Sequence, residues 1–430
     1  MASEEFEYLP LEALRLGVYV DLDVGWMAHP FASSRFKISS AQQIDALRKL
    51  GVTRVRTVPA LSDAAAPDES AASPQDVASP ESEKARQLVA QLQRESIQKN
   101  HLARQQAAQL ACERRFNDAT RTYRDMVEQV QVQPAGAAAR CAALVDGWVA
   151  ELSGSGEQAI RLLTEAAGDM ASLHPVNVAV LSVLLGRAMG LPAQELSELG
   201  IAAMVHDVGD LGVPARLRRY DESFSTLEFN VYQEHVAHGV VFARAMGLPQ
   251  GAVQAIAQHH ENVDGSGFPL RVRGSAMSRA ACILALTNRY DSLCNPARPQ
   301  SAMTPHEALA QLYAQQKARY DTSTLSAFIR MMGVYPPGSV VQLADERIAL
   351  VISVNSSRPL RPKVLVYEPG KQRSLGLVVD LEQLPQLGIR RSLKPASLPA
   401  EILDFLALKP RNSYFFEAIE APRAEQEEMA

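Results

Sequence analysis

The spacing of apolar and polar side chains predicts a small α+β module at the start of the chain. Residues 18–24 alternate between apolar and polar types, as the residues of a half-buried strand do. Residues 39–51 begin with serine, carry apolar side chains at helical spacing and end with glycine, which indicates a helix. Residues 52–58 alternate again. We therefore expect a small α+β N-terminal domain over residues 1–60.

The next two segments predict a linker followed by a long helix. Residues 61–82 are dominated by Ala, Ser, Pro and acidic residues and can bury little apolar surface, so we expect them to be flexible. Residues 83–133 contain no glycine or proline, which predicts one connecting helix on the order of 70 Å long. Such a helix is either solvated or pairs with a second copy to form a signalling homodimer, and its imperfect heptads leave both readings open.

The rest of the chain changes from helical to strand periodicity. Residues 134–333 have the pattern of a helical domain, whereas residues 334–400 contain short β-rich runs separated by turn residues. We expect a small β appendix there and a C-terminal tail over residues 401–430. The predicted fold class is mainly α, with an all-helical central domain between the α+β N-terminal domain and the β appendix.

Composition narrows the classes of function. The 430 residues include 43 Lys and Arg and 48 Asp and Glu, a net charge of −5 that gives no support for binding a nucleic acid polymer. The four cysteines lie far apart, which fits a reducing compartment. The N-terminus lacks a signal-peptide pattern, and no apolar run approaches the roughly 20 residues that span a bilayer. We predict a cytoplasmic protein without membrane insertion.

Histidines are concentrated in the helical region, at helix ends or on inward-facing turns. Neutral imidazole is the commonest metal ligand in proteins. A single histidine of this kind is more often a buried core residue than a ligand, but the combination favours a metal site. His238 follows His235 by three residues, and we place it at the surface or packed around the ligands. Six of the nine histidines belong to this concentration: His174, His206, His235, His238, His259 and His260.

Two adjacent pairs, His206-Asp207 and His259-His260, suggest more than one ion. Neighbouring residues on a helix project about 100° apart, so the members of each pair can face different ions, with Asp207 bridging them. A mixture of imidazole and carboxylate suits Fe, Mn, Zn or Ni better than Ca or Mg. Two ions about 3.5–4 Å apart are suited to an in-line phosphoryl displacement.

Three motifs and His174 together resemble one known family. The motifs are His206-Asp-Val-Gly209, His235-Val-Ala-His-Gly239 and His259-His-Glu-Asn-Val-Asp-Gly-Ser-Gly-Phe-Pro269. They resemble the HD-GYP domain of the HD hydrolase superfamily. The resemblance implies an all-α domain that binds two or three divalent metal ions, Fe or Mn, and hydrolyses the bacterial second messenger cyclic di-GMP to linear pGpG or GMP. Residues 8–60 resemble the uncharacterised domain that commonly precedes it.

The same resemblance implies roles for individual residues. Asp207 and His206 would be catalytic, with Asp207 bridging the ions, and Arg298 and Gly267 would bind the substrate. The implied metal ligands are His174, His206, Asp207, His235, His259 and His260.

The chain departs from the family pattern at several places. Asp210 stands where the family has a phosphate-binding Lys, and we expect its carboxylate to repel a phosphate. The family segment Ala-Asp-Val-Tyr-Asp-Ala-Leu is Thr-Asn-Arg-Tyr-Asp-Ser-Leu here, so Asn288 replaces a ligand Asp. Phe268 replaces the Tyr of Gly-Tyr-Pro, and Arg298 survives from a longer basic motif.

These departures leave more than one function open. The chain is either an active phosphodiesterase or a degenerate module that binds a nucleotide or a signalling protein as a receptor or scaffold. A third reading is hydrolysis of a different phosphate ester. The complete set of implied ligands favours a hydrolase, whereas Asp210 and Asn288 favour the receptor.

Overall fold

The computed structural model divides the chain into two compact units, Met1–Gln93 and Arg94–Ala430, which are described separately. The residues that the structure describes are 6–22, 35–40, 43–44, 47–48, 54–63, 80–154, 156–163, 170–373 and 376–418.

The N-terminal unit contains an antiparallel sheet of four short strands in the order β1-β4-β2-β3. Its apolar core includes Val18, Val20 and Ile38, which are almost fully buried. Residues 43–44 and 47–48 are helical, and the remainder of the predicted helix over 39–51 lies outside the described residues. The strands are β1 (Glu7–Pro10), β2 (Tyr19–Asp21), β3 (Arg35–Lys37) and β4 (Arg54–Thr57).

The predicted long helix is present as α1 (Pro80–Gln129). Most of the predicted linker, residues 64–79, lies outside the described residues. From residue 112 onward, α1 buries one stripe of side chains at intervals of three or four residues, which places this half in the core of the second unit rather than in solvent. Homodimer formation through this helix stays a prediction. The buried stripe consists of Cys112, Phe116, Ala119, Tyr123, Met126 and Val130.

Eight α-helices follow α1 among the described residues up to Met332. Helix α3 lies at their centre and packs against α4 and α7, and nearly all side chains from Val176 to Leu185 are buried. Helix α5 begins with a capping box between Ser225 and Glu228. The helices are α2 (Pro134–Leu152), α3 (Met170–Ala188), α4 (Ala193–Val205), α5 (Thr226–Ala245), α6 (Gln250–Gln258), α7 (Arg279–Cys294), α8 (Pro305–Ala314) and α9 (Thr322–Met332).

Helix α3 contains a long apolar segment. Among the described residues, the window Ala171–Ala188 is long and apolar enough to cross a membrane by length and composition. The protein itself buries 72% of this window, as expected of a central core helix.

The C-terminal sheet is larger than the predicted appendix. Two of its strands lie outside residues 334–400: β5 (Gln158–Leu162) comes from within the helical region, and β11 (Tyr414–Ala418) pairs with it antiparallel. A segment of five residues that mixes polar and apolar types, Gln-Ala-Ile-Arg-Leu here, is too short for its period to distinguish a strand from a helix, which is why β5 was not expected. The other strands are β6 (Val340–Leu343), β7 (Ile348–Asn355), β8 (Lys363–Val366), β9 (Leu377–Asp380) and β10 (Ile389–Leu393).

The predicted C-terminal tail is ordered over much of its length. Helix α10 (Ala400–Leu406) and β11 occupy residues 400–418. Phe415 and Phe416 are fully buried and pack edge-on against Trp148. The expected tail is therefore wrong up to residue 418, and residues 419–430 lie outside the described part of the chain. The fold class, mainly α with strand-containing regions toward both ends, is confirmed.

Candidate metal centre and substrate cavity

The motif His206-Asp207 lies where α4 ends. His206 is the C-cap residue of α4, and its Nδ1 donates a hydrogen bond to the Ala203 carbonyl at 2.7 Å. The turn that follows presses against α5: a Cβ added to Gly209 would lie 1.9 Å from the His235 carbonyl oxygen. Glycine at this position therefore allows the end of α4 to reach the α5 backbone next to His235.

Two further histidines are oriented in the same way as His206. The Nδ1 atoms of His235 and His259 donate to the carbonyls of Tyr232 and Ile256, both at 2.6 Å. A carbonyl can only accept, so the proton of each neutral imidazole is on Nδ1 and a lone pair is on Nε2. Each ring thus presents an Nε2 that is ready to bind a metal.

The two oxygens of the Asp207 carboxylate face different histidines. Oδ2 lies 3.2 Å from His206 Nε2 and 3.5 Å from His174 Nε2. Oδ1 lies 3.5 Å from His259 Nε2 and 3.8 Å from His235 Nε2. One carboxylate therefore connects two clusters of imidazoles.

These contacts define two ligand groups. The first ligand group is His174, His206 and Asp207; the second is Asp207, His235, His259 and His260. Within each group, the ligand atoms all lie within 4.8 Å of one another. The structure thus brings all six predicted ligands together, whereas His238 belongs to neither group and packs against Gly212.

The residues present fit metal ions. His206 Nε2 is buried and has no hydrogen-bond partner, although buried polar atoms almost always have one. His235 Nε2 and His259 Nε2 face each other at 3.2 Å, and both carry lone pairs because both Nδ1 atoms donate elsewhere. A bound cation would relieve this repulsion, and imidazole nitrogens are common metal ligands. The His/Asp cluster is therefore able to hold metal.

His174 is oriented by a carboxylate that the sequence did not single out as important. Its Nδ1 lies 2.6 Å from Asp291 Oδ2. The other oxygen of Asp291 accepts hydrogen bonds from Asn177 and Asn295 at 2.9 and 2.8 Å. Carboxylates that bond to ligating histidines fix the ring and raise its basicity. Asp291 is the acid that remains in the family segment after Asn288 replaces the usual ligand, and this was the available signal.

The backbone before β11 holds this arrangement in place. The Asn412 carbonyl accepts hydrogen bonds from both Asn177 and Asn295, each at 2.9 Å. The Tyr414 backbone N–H donates to Asn177 Oδ1 at 3.1 Å. The C-terminal segment thus positions Asp291, and through it His174.

His260 lies among aromatic side chains. The Phe268 ring stacks on its imidazole with centroids 4.5 Å apart, and the Tyr232 hydroxyl lies 3.2 Å from its Nε2. Phe268 therefore keeps the ring that the family's Tyr supplies. A Cβ on Gly267 would lie 2.5 Å from backbone atoms of residues 260–262, so glycine is needed to bring this loop beside His260.

Burial and the Asp207 charge set the protonation of the site without metal. Burial lowers the pKa of His235 to about 4 and lowers those of His259 and His260, so these rings are neutral near pH 7. For Asp207, burial opposes ionisation, but His206 and its other imidazole neighbours hold the pKa well below its usual value. For His206, burial opposes protonation, but the neighbouring Asp207 charge raises the pKa above its usual value. The second ligand group is thus one anion beside three neutral imidazoles, which is a charge state that binds a metal.

Asp210 differs from its expected behaviour. Burial and, secondarily, the Asp207 charge raise the pKa of Asp210 to about 9, although Arg218 and Arg219 oppose this. Its Oδ1 is buried without a hydrogen-bond partner. In the metal-free protein the carboxyl is therefore neutral at pH 7, and the expected charge repulsion of a phosphate is absent.

The two ligand groups face a cavity of about 890 Å³. Gly267, Asn288 and Arg298 line it, and substrate binding by Gly267 and Arg298 stays a prediction. Arg298 is 60% exposed and already pairs with Asp221 at 2.7 Å and with the Ser223 hydroxyl at 2.9 Å. The second half of α1 also contributes to the wall, including Tyr123 and Arg124.

Comparison with known families agrees with this architecture. Residues 121–324 match the HD domain, residues 8–141 match a domain of unknown function (DUF3391), and residues 340–401 match a KOW domain associated with HD domain. The chain therefore contains an HD domain over residues 121–324. The HD domain includes all six predicted ligands and begins within α1, earlier than the predicted boundary at residue 134. The match to DUF3391 extends well beyond residue 60, through α1.

Several proteins similar to this HD-domain protein carry names that state an activity. It is 25% identical over 363 residues to a cyclic di-GMP phosphodiesterase of Pseudomonas aeruginosa, covering 84% of each chain. It is 23% identical to the cyclic di-GMP phosphodiesterase PdeB of Borreliella burgdorferi, over 51% of this chain and 59% of that protein. A 3'3'-cGAMP-specific phosphodiesterase of Vibrio cholerae is 28% identical over 36% of this chain and 30% of its own length.

One solved structure to which the chain shows a partial likeness is Bd1817, an HDG"Y"P protein from Bdellovibrio bacteriovorus. The likeness has a TM-score of 0.40 and 14% identity, and it covers 75% of this chain and 98% of that chain.

Proposed function

We propose that this HD-domain protein is a metal-dependent phosphodiesterase that hydrolyses cyclic di-GMP to pGpG or GMP. The observation that carries the proposal is the position of Asp207, which lines the cavity of about 890 Å³ and whose two oxygens face two separate ligand groups. The names of the similar proteins support the same class of reaction.

Each ligand group would hold one ion, Fe or Mn, with Asp207 shared between them. When bound, a pair of ions supplies Lewis-acid chemistry at both ends of an in-line phosphoryl displacement. The protein contributes the neutral imidazoles and the bridging carboxylate, which its hydrogen bonds to backbone carbonyls and to Asp291 hold in position. The proposal includes a third ion, although the described residues form only two ligand groups.

The catalytic roles of Asp207 and His206 follow from this assignment. His206 is fully buried, and its Nε2 faces only Asp207 Oδ2 among the described carboxylates. Arg298 and Gly267 line the cavity and would contact the substrate, Arg298 through its guanidinium and Gly267 through its backbone.

A receptor without turnover is the second candidate, and one observation favours it. Asn288 is buried on the cavity wall and offers a neutral amide where the family has a charged ligand. The loss of this charged ligand weakens the binding of a third ion, or of a second ion that uses the same position. Cytoplasmic location and a signalling protein partner stay predictions.

The test is turnover by the full-length protein purified with Mn²⁺ or Fe²⁺. We expect conversion of cyclic di-GMP to pGpG, with 3'3'-cGAMP as the competing substrate because some similar proteins are named for it. Asp207→Asn should abolish turnover and reduce the bound metal. Nucleotide binding without turnover under both metals would favour the receptor, and a metal-free protein after purification with either ion would contradict the proposal.

A further inference from the structure

Arg289 points to a substrate contact that the sequence did not predict. It lies on α7 directly after Asn288 and lines the cavity. Its Nε is buried and has no hydrogen-bond partner. In the part of the chain that the structure describes, no carboxylate or other acceptor bonds to the guanidinium. A buried guanidinium N–H without an acceptor is costly, so its presence calls for an explanation.

Arg219 has a similar environment on another element of the wall. One arm of its guanidinium donates to the Asn295 carbonyl at 3.3 Å, whereas Nη1 is buried without a partner. Arg219 is close enough to Asp210 to oppose the rise in its pKa.

Arg298 provides the contrast within the same cavity. Its side chain is 60% exposed, and its guanidinium already pairs with the Asp221 carboxylate and the Ser223 hydroxyl. Two nitrogens of the Arg298 guanidinium are already engaged, so a phosphate bound there must share or displace these partners. The buried donors Arg219 Nη1 and Arg289 Nε have no partner to displace.

The local sequence indicates the same exchange of charge. In the family pattern, a Lys occupies position 210, and Asp-Val occupies positions 288–289. Here position 210 is Asp, and positions 288–289 are Asn-Arg. One cation has left the end of α4 and one has arrived on α7, next to a residue that has lost its negative charge. The cavity thus loses a positive charge at position 210 and gains one at position 289.

We propose that Arg219 and Arg289 bind the phosphodiester oxygens of the substrate and replace the missing Lys at position 210. The ligand class is a compact phosphodiester anion such as a cyclic dinucleotide. This inference rests on the proposed function for the reaction, but it makes a separate statement about which residues bind the anion. Planar guanidinium groups suit this task because they donate two parallel hydrogen bonds to phosphate oxygens.

The experiment compares Arg289→Gln and Arg219→Gln with Arg279→Gln in full-length, Mn²⁺-loaded protein. Arg279 lies at the start of the same helix, is exposed and donates to the Met189 carbonyl outside the cavity. The measurements are KM and kcat for cyclic di-GMP, Kd for cyclic di-GMP and for inorganic phosphate, and bound metal. We expect each cavity variant to raise KM and Kd at least tenfold with unchanged metal content, and Arg289→Lys to recover part of the loss. Arg279→Gln should change these values less than twofold.

The outcomes separate the two proposals. If wild-type protein hydrolyses cyclic di-GMP and both cavity variants keep its KM and Kd within twofold, the arginine assignment is overturned and the proposed function stands. If wild-type protein binds the nucleotide without hydrolysing it and the variants lose binding, the assignment stands and the activity does not. Wild-type protein that binds neither cyclic di-GMP nor millimolar phosphate overturns both.

Discussion

The Nδ1 atom of His174 lies 2.6 Å from Asp291 Oδ2, and this contact orients one predicted ligand of the first group. Asp291→Asn should weaken metal binding to that group by about 10- to 100-fold, because an amide cannot hold the imidazole in the same charge state. The measurement is metal stoichiometry and affinity by titration into the metal-free protein. Arg279→Gln, at the exposed start of the same helix, is the control. Equal metal affinity in Asp291→Asn and wild type would contradict a positioning role.

Gly209 allows the turn after α4 to touch α5, and a methyl group there has no space. Gly209→Ala should lower the free energy of unfolding by about 3 kcal/mol or more, since backbone rather than a flexible side chain meets the new Cβ. Thermal or denaturant unfolding measures this change. The control is Gly147→Ala in α2, where nothing lies within 4 Å. Its exposed helical position should make that variant up to about 1 kcal/mol more stable.

Asp210 makes the folding stability of the metal-free protein depend on pH. Its pKa is about 9 in the folded protein against an ordinary value of 3.8, so the folded state binds more protons between these values. Its contribution to stability is complete below pH 3.8 and is lost as the pH rises through 9. Asp210→Asn has no proton to lose and should therefore stabilise the metal-free protein, by an amount that grows about 1.4 kcal/mol per pH unit between pH 5 and 8.

Unfolding measured at several pH values in the presence of a chelator checks this slope. Asp118→Asn on α1 removes a carboxylate that is 63% exposed and should show no such slope. An effect of Asp210→Asn that is constant with pH would mean that the carboxyl is ionised throughout the range.

Replacing Asn288 with Asp tests whether the missing carboxylate at this position weakens metal binding. Asn288→Asp restores a carboxylate to the buried wall of the cavity and should raise metal affinity roughly tenfold, the lower end of effects around metal ligands. Gln311→Glu adds the same charge elsewhere on the cavity wall and should leave metal affinity unchanged. Equal gains in both variants would indicate a general charge effect rather than a restored ligand position.

The positions of some predicted ligands could be anticipated because His206 and His259 end apolar helices, whereas His235 lies in the middle of α5. The apolar stripe of α4 fixes where His206 emerges, and the run of α6 does the same for His259. Local periodicity is a reliable guide to such positions. The convergence of six side chains then followed from the family pattern, not from periodicity.

The support around the ligands could not be predicted in the same way. Pairing between β5 and β11 joins segments separated by about 250 residues, and no short window of sequence contains that information. The charge of Asp210 depends on burial and on Asp207 together, and the pairing of Arg298 depends on where the loop places Asp221. Sequence identifies which groups can ionise, whereas the fold decides which of them do.

The hydrogen bonds from Asn412 and Tyr414 to the neighbours of Asp291 have a consequence for protein synthesis. All six metal-ligating candidates leave the ribosome well before these residues, so a nascent or prematurely terminated chain can contain every ligand and still leave His174 without its support. Completion of the site therefore waits for the strand that is made last among those described. A nonsense mutation just upstream of residue 412 would act as a metal-site mutation.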